Sequence, residues 1–261
     1  MLKQNNKILI TGGNSYIAKS LYNALKDKYE ITCITRQDFD LTNREKTNEW
    51  FKDKYFNTLI HTAITGGSRL KEDDGDVIYK NLLMHSNLLN NNLSYQKFIN
   101  FGSGAELNSP TDPYGLSKAI IRESILPLPY HYNIRIFGVF DENELDTRFI
   151  KANLKRYINK QPMEIHQNKY MDFFYMEDLV SLIEFYILND SLPKEINCTY
   201  SESRTLYHIA DIINHLNNYK VDIKINKPNM EKEYIGKFTD LGIKYIGLQD
   251  GIKKVYKKLL K

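Results

Sequence analysis

Tyr114 and Lys118, in the run DPYGLSK, are the side chains best suited to acid–base chemistry on a carbonyl or an alcohol. Four residues apart, they share one face of a helix. A free phenol has a pKa of about 10 and exchanges protons poorly near neutrality. A neighbouring ammonium favours the phenolate and lowers that pKa. Asp112 suits the N-cap and Pro113 the first helical position, and the positive helix end pushes the phenol the same way. The pair therefore suits general acid–base catalysis. Ser103, in FINFGSGAE, can hydrogen-bond a substrate oxygen or the phenol, with Gly102 and Gly104 leaving room; the alternative is an ordinary turn serine. A second match, Tyr22–Lys26, falls inside an earlier helix and faces no strand end. It reads as a surface coincidence.

These groups need elements to position them. Apolar, β-branched runs predict strands at Lys7–Thr11, Ile31–Thr35, Thr58–His61, Lys97–Phe101 and Asn133–Phe137. Helical periodicity predicts helices near Ile17–Lys28, Thr42–Asp53, Asp76–Asn91 and Pro113–Ile125. That alternation implies an α/β fold, a Rossmann-type doubly wound parallel sheet with helices on both faces. Ligands of such sheets bind beyond the carboxyl ends of the strands. From about Val139 the alternation becomes irregular, which suggests a small C-terminal substrate-binding lobe over 139–261 after a dinucleotide-binding domain over 1–138. One segment, about 170–190, is expected to return to the first domain.

The first strand runs into Thr11-Gly12-Gly13. Gly12 can take a backbone conformation closed to other residues, and the helix starting near Ser15 or Tyr16 offers its positive end to a pyrophosphate. Ser15 and Ala18 stand where further glycines are usual. Both are small, and their expected cost is in cofactor affinity. A purely structural glycine turn is the alternative. After the second strand comes Arg36, where an acidic residue would signal NAD; a guanidinium there suits the 2′-phosphate of NADP. An exposed loop arginine is the other reading. Asp40 and Leu41 follow and would flank the adenine.

Composition narrows the classes. The 261 residues suffice for one large domain, or a core domain with a smaller lobe. A net charge of +4, from scattered lysines, mildly favours anionic ligands without requiring nucleic acid. Cys33 and Cys198 give no disulfide framework, which points to a reducing, cytoplasmic setting. The start, MLKQNNKILIT, lacks a signal-peptide run. Leu179–Leu188 is half the length of a membrane span and contains Glu184. Six histidines form no metal motif; His208 and His215 read as surface or interface residues. The terminal GIKKVYKKLLK places Ile252, Val255, Tyr256 and Leu259 on one side, as expected of a helix docked on the lobe with its lysines in water. No membrane or nucleic-acid partner is expected.

Taken in order, ITGGNSYIA, DLT, LIHTAI, NLLMHSNLL, FGSGAE, YGLSK, IRIFGVF, DFFYMEDLV and YIGLQDGIKKVY resemble the extended short-chain dehydrogenase/reductase family, in particular its nucleotide-sugar epimerases, dehydratases and reductases. The resemblance spans nearly the whole chain. It implies that Tyr114 is the acid–base residue, that Lys118 tunes it and holds the nicotinamide ribose, and that Ser103 completes a triad and touches substrate. It also implies that Thr11, Gly12, Ser15, Tyr16, Ile17, Arg36, Asp40, Leu41, Thr62, Ala63, Asn81, Phe101 and Phe137 line the NAD(P) cofactor, Phe137 with Gly138 bordering the nicotinamide. For Asn81 a helix-surface amide is the alternative. Arg148, in DTRFI, would approach the substrate nucleotide, and Asp178 would be structural. Met171 replaces a basic residue common before the DF pair, which removes the usual nucleotide anchor. Gly104-Ala105 replace the Asp-Glu pair of the dehydratases, and Ala105 stands near the cysteine used for double epimerisation.

The expected activity is therefore NADP(H)-dependent reduction of a 4-keto group on a nucleotide-linked deoxysugar, in surface-polysaccharide or sugar-nucleotide biosynthesis, with NAD(H) the less favoured cofactor. A nucleotide-sugar 4-epimerase that retains its cofactor and a non-catalytic dinucleotide-binding regulator are the alternatives. The resemblance also implies a homodimer through the helices at Asp76–Asn91 and Pro113–Ile125.

Overall fold

The computed structural model describes residues 6–68 and 72–261. The chain alternates β1 (Lys7–Thr11), α1 (Tyr16–Leu25), β2 (Glu30–Ile34), α2 (Arg44–Phe51), β3 (Phe56–His61), α3 (Gly75–Leu89), β4 (Tyr95–Ser103), α4 (Ala105–Asn108), α5 (Pro113–Ile125) and β5 (His131–Ile136). There follow β6 (Val139–Phe140), α6 (Phe149–Ile158), β7 (Met163–Gln167), β8 (Phe174–Tyr175), α7 (Met176–Leu188), β9 (Glu195–Cys198), α8 (Leu206–Asn214), β10 (Ile223–Lys227) and α9 (Leu248–Leu259). A six-stranded parallel sheet has the order β2-β1-β3-β4-β5-β9, the Rossmann-type α/β fold expected from the sequence. The chain winds outward from β1 to β2, then returns across β1 to β3. The crevice between the carboxyl ends of β1 and β3, where Thr11 pairs with His61, is the switch point at which such sheets bind ligands.

Ile8, Leu9 and Ile10 are fully buried, as a strand covered on both faces requires. α1 starts at Ser15, whose hydroxyl accepts from Ala18 N, and buries Ala18, Leu21 and Leu25. α2 starts at Arg44 rather than Thr42, and the Asn43 side chain caps it. Asp112 occupies the N-cap of α5, but its side chain makes no cap bond; Pro113, with its fixed φ, sets the first turn instead.

The described residues form two compact units. The first runs to Arg135 and takes back Ile183–Ile196; the second is Ile136–Leu182 with Asn197–Lys261. The sequence placed the boundary at 138 and the returning segment at about 170–190. In the first unit Lys97 of β4, almost wholly buried, ties down the returning segment. Its ammonium donates to the carbonyls of Tyr186 (2.6 Å), Ile187 (3.0 Å) and Asn189 (2.8 Å) and pairs with Asp190 at 3.0 Å.

The second unit has its own core of aromatic and aliphatic side chains from α6, β7, α8 and α9, including Tyr157, Ile209, Ile252, Val255 and Tyr256. α9 buries the apolar side its sequence shows, while Lys254 and Lys258 pair with Glu177 and Glu142. Asp178 is buried at the start of α7 and accepts from Ile246 N (2.7 Å), Gly247 N (3.0 Å) and the Tyr200 hydroxyl. Its role is to fasten the segment leading into α9. Among the described residues, no helix is long and apolar enough to cross a membrane.

Candidate active site

The turn after β1 is stitched to both neighbouring strands. Gly12 has φ +66°, and a Cβ there would lie 2.8 Å from the Cα and N of Ala63. Any side chain would therefore force apart the ends of β1 and β3. Gly13 N donates to Ile34 O on β2 (2.9 Å), and the Thr62 hydroxyl donates to Thr11 O (2.6 Å). Ser15 is more than a tolerated substitute. Besides capping α1, its hydroxyl lies 3.1 Å from that of Thr62, so it locks the turn to the segment after β3. A glycine there would lose a cap and a cross-link. Ala18 is fully buried. Tyr16 and Ile17 open α1 directly behind the turn.

Arg36 is exposed and reaches 3.5 Å from its Nη2 to the Thr65 hydroxyl, leaning from the loop after β2 towards the loop after β3. Asp40 is also exposed. The Thr42 amide and hydroxyl, each 2.9 Å away, hold its carboxyl below the usual range, with help from Arg36 and Lys80. Leu41 turns its side chain into the core of the first unit, so an adenine could meet its backbone and not its isobutyl group.

Ser103 ends β4 and is 8% exposed. Its hydroxyl accepts from Ala105 N at 3.2 Å, which leaves its own hydrogen to donate elsewhere. Lys118 is buried on α5, and its ammonium donates to the Phe101 carbonyl at 2.5 Å. It stands 5.9 Å from the ring centre of Tyr114. Burial pushes the lysine down to about 8, against the pull of the Glu106 carboxylate. Phe101 thus contributes a carbonyl, its ring being in the core. Lys118 of α5 thus stands beside Tyr114 and is tied to Phe101, two residues before Ser103 on β4.

Sequence reasoning overlooked two features. The first is a second ITGG at 64–67, repeating the one at 10–13. Gly66 and Gly67 have φ +83° and +72°, and a Cβ on Gly67 would sit 2.8 Å from Cε2 and Cζ of Tyr114. Asn81 holds this loop. Its Oδ1 accepts from Thr65 N (2.8 Å), and its Nδ2 donates to Thr65 O (2.9 Å) and to the Ser117 hydroxyl (3.0 Å). Asn81 is buried, so the surface-amide alternative fails. Gly67→Ala should strain a left-handed position and displace the phenol. The expected loss in kcat is roughly tenfold to a hundredfold, with dinucleotide affinity, measured by fluorescence titration, little changed. The second feature is Glu106 with Arg135, whose carboxylate–guanidinium pair (2.9 Å) lies buried behind Ser103.

A family model described as "NAD dependent epimerase/dehydratase family" matches residues 8–199. The chain belongs to this family. Its members are nucleotide-sugar modifying enzymes, and this one is an NAD(P)-dependent enzyme of the extended short-chain dehydrogenase/reductase type. Among solved structures, the chain is similar to a GDP-mannoheptose C4 reductase from Campylobacter jejuni with NADP bound: 18% identity, all of both chains covered, TM-score 0.80. It is also similar to a dTDP-4-dehydrorhamnose reductase from Bacillus anthracis in complex with NADP: 14% identity, 99% and 100% covered, TM-score 0.78. A UDP-N-acetylglucosamine 4-epimerase from Bacillus cereus gives 16% identity, 98% and 100% covered, TM-score 0.77. At these identities the likeness establishes the fold. A comparison with curated proteins gave no match.

The first unit of this epimerase/dehydratase-family member fits a dinucleotide on its own geometry. A left-handed Gly12 lets backbone approach backbone, and the positive end of α1 stands behind it. Two further expected residues lie in the second unit. Phe137 is buried edge-on to Tyr234, ring centres 5.4 Å apart, and a Cβ on Gly236 would meet it at 2.5 Å. Arg148 is exposed at the N-cap of α6. Met171 packs inward in the core of that unit. His208 and His215 are exposed on or beside α8, and no metal-binding cluster occurs among the described residues.

Proposed function

We propose that the protein is an NADP(H)-dependent reductase of the 4-keto group of a nucleotide-linked deoxysugar. The observation that carries this reading is the Lys118 ammonium, fixed on the Phe101 carbonyl beside Tyr114, with Ser103 at the end of the same strand. Gly104-Ala105 after Ser103 provide no acid–base pair for dehydration. The named reductases among the similar structures, both with NADP, support it further.

Thr11, Gly12, Ser15, Tyr16 and Ile17 would hold the pyrophosphate, Asp40 and the Leu41 backbone the adenine side, and Thr62 and Ala63 the adjoining ribose. Asn81 would act by holding the Thr65 loop, Phe137 would border the nicotinamide, and Arg148 would meet the substrate nucleotide. Reduced nicotinamide, when bound, supplies hydride to the carbonyl carbon. Ser103 donates a hydrogen bond to the carbonyl oxygen, Tyr114 gives that oxygen its proton, and Lys118 sets the pKa of the phenol. A reducing, cytoplasmic setting, expected from the low cysteine content, belongs to the same proposal.

NADPH oxidation measured against a panel of 4-keto and 4-hydroxy sugar nucleotides tests the reading. Net oxidation with a 4-keto member supports it. Interconversion of 4-hydroxy members with co-purified cofactor and no net consumption would identify an epimerase, and binding without turnover a regulator. Arg36→Ala should raise KM for NADPH by about tenfold to a hundredfold, the worth of one or two charged hydrogen bonds, and leave KM for NADH unchanged.

The homodimer implied by the family belongs to the same proposal. α3 and α5 pack on each other and turn Tyr79 (64% exposed) and Ile120 (40%) outward. A second copy related by a two-fold axis would cover both. Tyr79→Asp with Ile120→Asp should halve the mass found by light scattering; a wild-type monomer would refute the dimer.

A further inference from the structure

Building on the proposed role of Ser103, Tyr114 and Lys118, we infer that Glu106 is the positioning residue of this site: one carboxylate fixes the Ser103 backbone and offsets the buried charge of Lys118. Glu106 is itself buried on α4. Its Oε1 accepts the Ser103 N–H at 2.8 Å, and the Ser103 hydroxyl accepts Ala105 N. Glu106 thus makes one of the two bonds of a capping box, back to the N–H three residues before it, while the Ser103 hydroxyl takes the Ala105 N–H and not that of Glu106. The serine oxygen accepts one N–H and keeps its own hydrogen available as a donor.

The other carboxylate oxygen is equally committed. Oε2 accepts from Asn133 Nδ2 (3.0 Å) and Arg135 Nε (2.9 Å), and Asn133 Oδ1 in turn accepts from Asn100 Nδ2 (2.7 Å). Arg135 also donates to Glu195, which Arg122 grips from α5. Space for the carboxylate comes from Gly102, where a Cβ would lie 2.3 Å from Glu106 Oε1 and 2.7 Å from Asn133 Nδ2. A glycine on a central strand is otherwise a loss in stability. Its absence of side chain here admits one particular carboxylate.

The charge matters to Lys118. The groups acting there are His61 from β3 and His85 from α3, both held neutral near pH 7 by burial, the Phe101 carbonyl from β4, Tyr114 on its own helix, and Glu106 from α4. Glu106 brings the negative charge. Its removal favours neutral lysine, so that titration moves to lower pH.

The test uses full-length Glu106→Gln, with Glu106→Gln/Arg135→Gln as a charge-balanced variant should the first fold poorly. Thermal unfolding and NADP⁺ binding check that each is native. The prediction is an alkaline limb of kcat displaced to lower pH by roughly one unit, with kcat at neutral pH down about tenfold and KM little changed. Titration of the Lys118 side chain by NMR, in NADP⁺-bound protein carrying ¹³C-labelled lysine, should move in the same direction. A folded variant whose kcat limb and Lys118 titration match wild type would overturn the inference and leave Glu106 a purely structural ion-pair member. If wild type reduces no 4-keto sugar nucleotide, the functional reading fails while the lysine titration still decides the role of Glu106.

Discussion

Tyr114→Phe should lower kcat for carbonyl reduction by about 10²–10⁴-fold, the usual worth of a positioned general acid, and leave NADPH affinity within a few-fold of wild type. The substitution removes one hydroxyl and keeps the ring that packs beneath Gly67, so the loop held by Asn81 has no reason to move. Single-turnover measurement of NADPH absorbance separates the chemical step from binding. An unchanged rate would remove Tyr114 from the mechanism. The wild-type pH profile carries the same signature. Lys118 lies at about 8 in the folded protein, from an ordinary 10.5, because burial disfavours its charge. Its ammonium is therefore present below that value, and activity should fall as pH rises through about 8. The stability sign is opposite. Between about 8 and 10.5 the unfolded lysine binds a proton that the folded one has lost, so the cofactor-free protein should gain stability as pH rises through that window.

Lys97→Met should cost about 3 kcal/mol of stability, since several buried carbonyls lose their donor at 1–3 kcal/mol each and relaxation recovers part. Methionine preserves most of the stem volume and removes the ammonium. The carbonyls of Tyr186, Ile187 and Asn189 at the end of α7 then face an apolar side chain. Asp190 is 59% exposed at its side chain and returns to water at little cost. For a chain of this size the loss corresponds to a melting temperature lower by about 6–12 °C. Calorimetry of the cofactor-free protein measures it. A shift under 2 °C would mean that the returning segment is held by its apolar contacts alone.

The sequence carried the sheet and the reacting groups better than it carried their supports. β1 was legible because Ile8, Leu9 and Ile10 form a continuous apolar run ending at a Thr-Gly-Gly turn. α5 was legible to the residue, Pro113–Ile125, because proline fixes its start. β9 was not: four residues, EINC, carry no usable period, and their place beside β5 is set by a contact distant in sequence. The spacing of Tyr114 and Lys118 is local, whereas the loop lying on Tyr114 comes from Gly67, and the partners of Glu106 come from Asn133 and Arg135. Side chains that meet across strands leave no periodic trace. The bond from Ser15 to Thr62 was hidden for a related reason: the serine in place of a glycine was visible, but its partner depends on the β1–β3 pairing.

The most direct test follows the transferred atom. NADPH bearing deuterium at the transferable position of the nicotinamide is incubated with the protein and a 4-keto deoxysugar nucleotide, and the product is examined by mass spectrometry and NMR. The account predicts one deuterium bound at the sugar C4 for every NADP⁺ formed, and none when Tyr114→Phe replaces wild type over the same interval. Deuterium that stays in a tightly held cofactor while 4-hydroxy sugars interconvert, or that reaches no sugar at all, would contradict it.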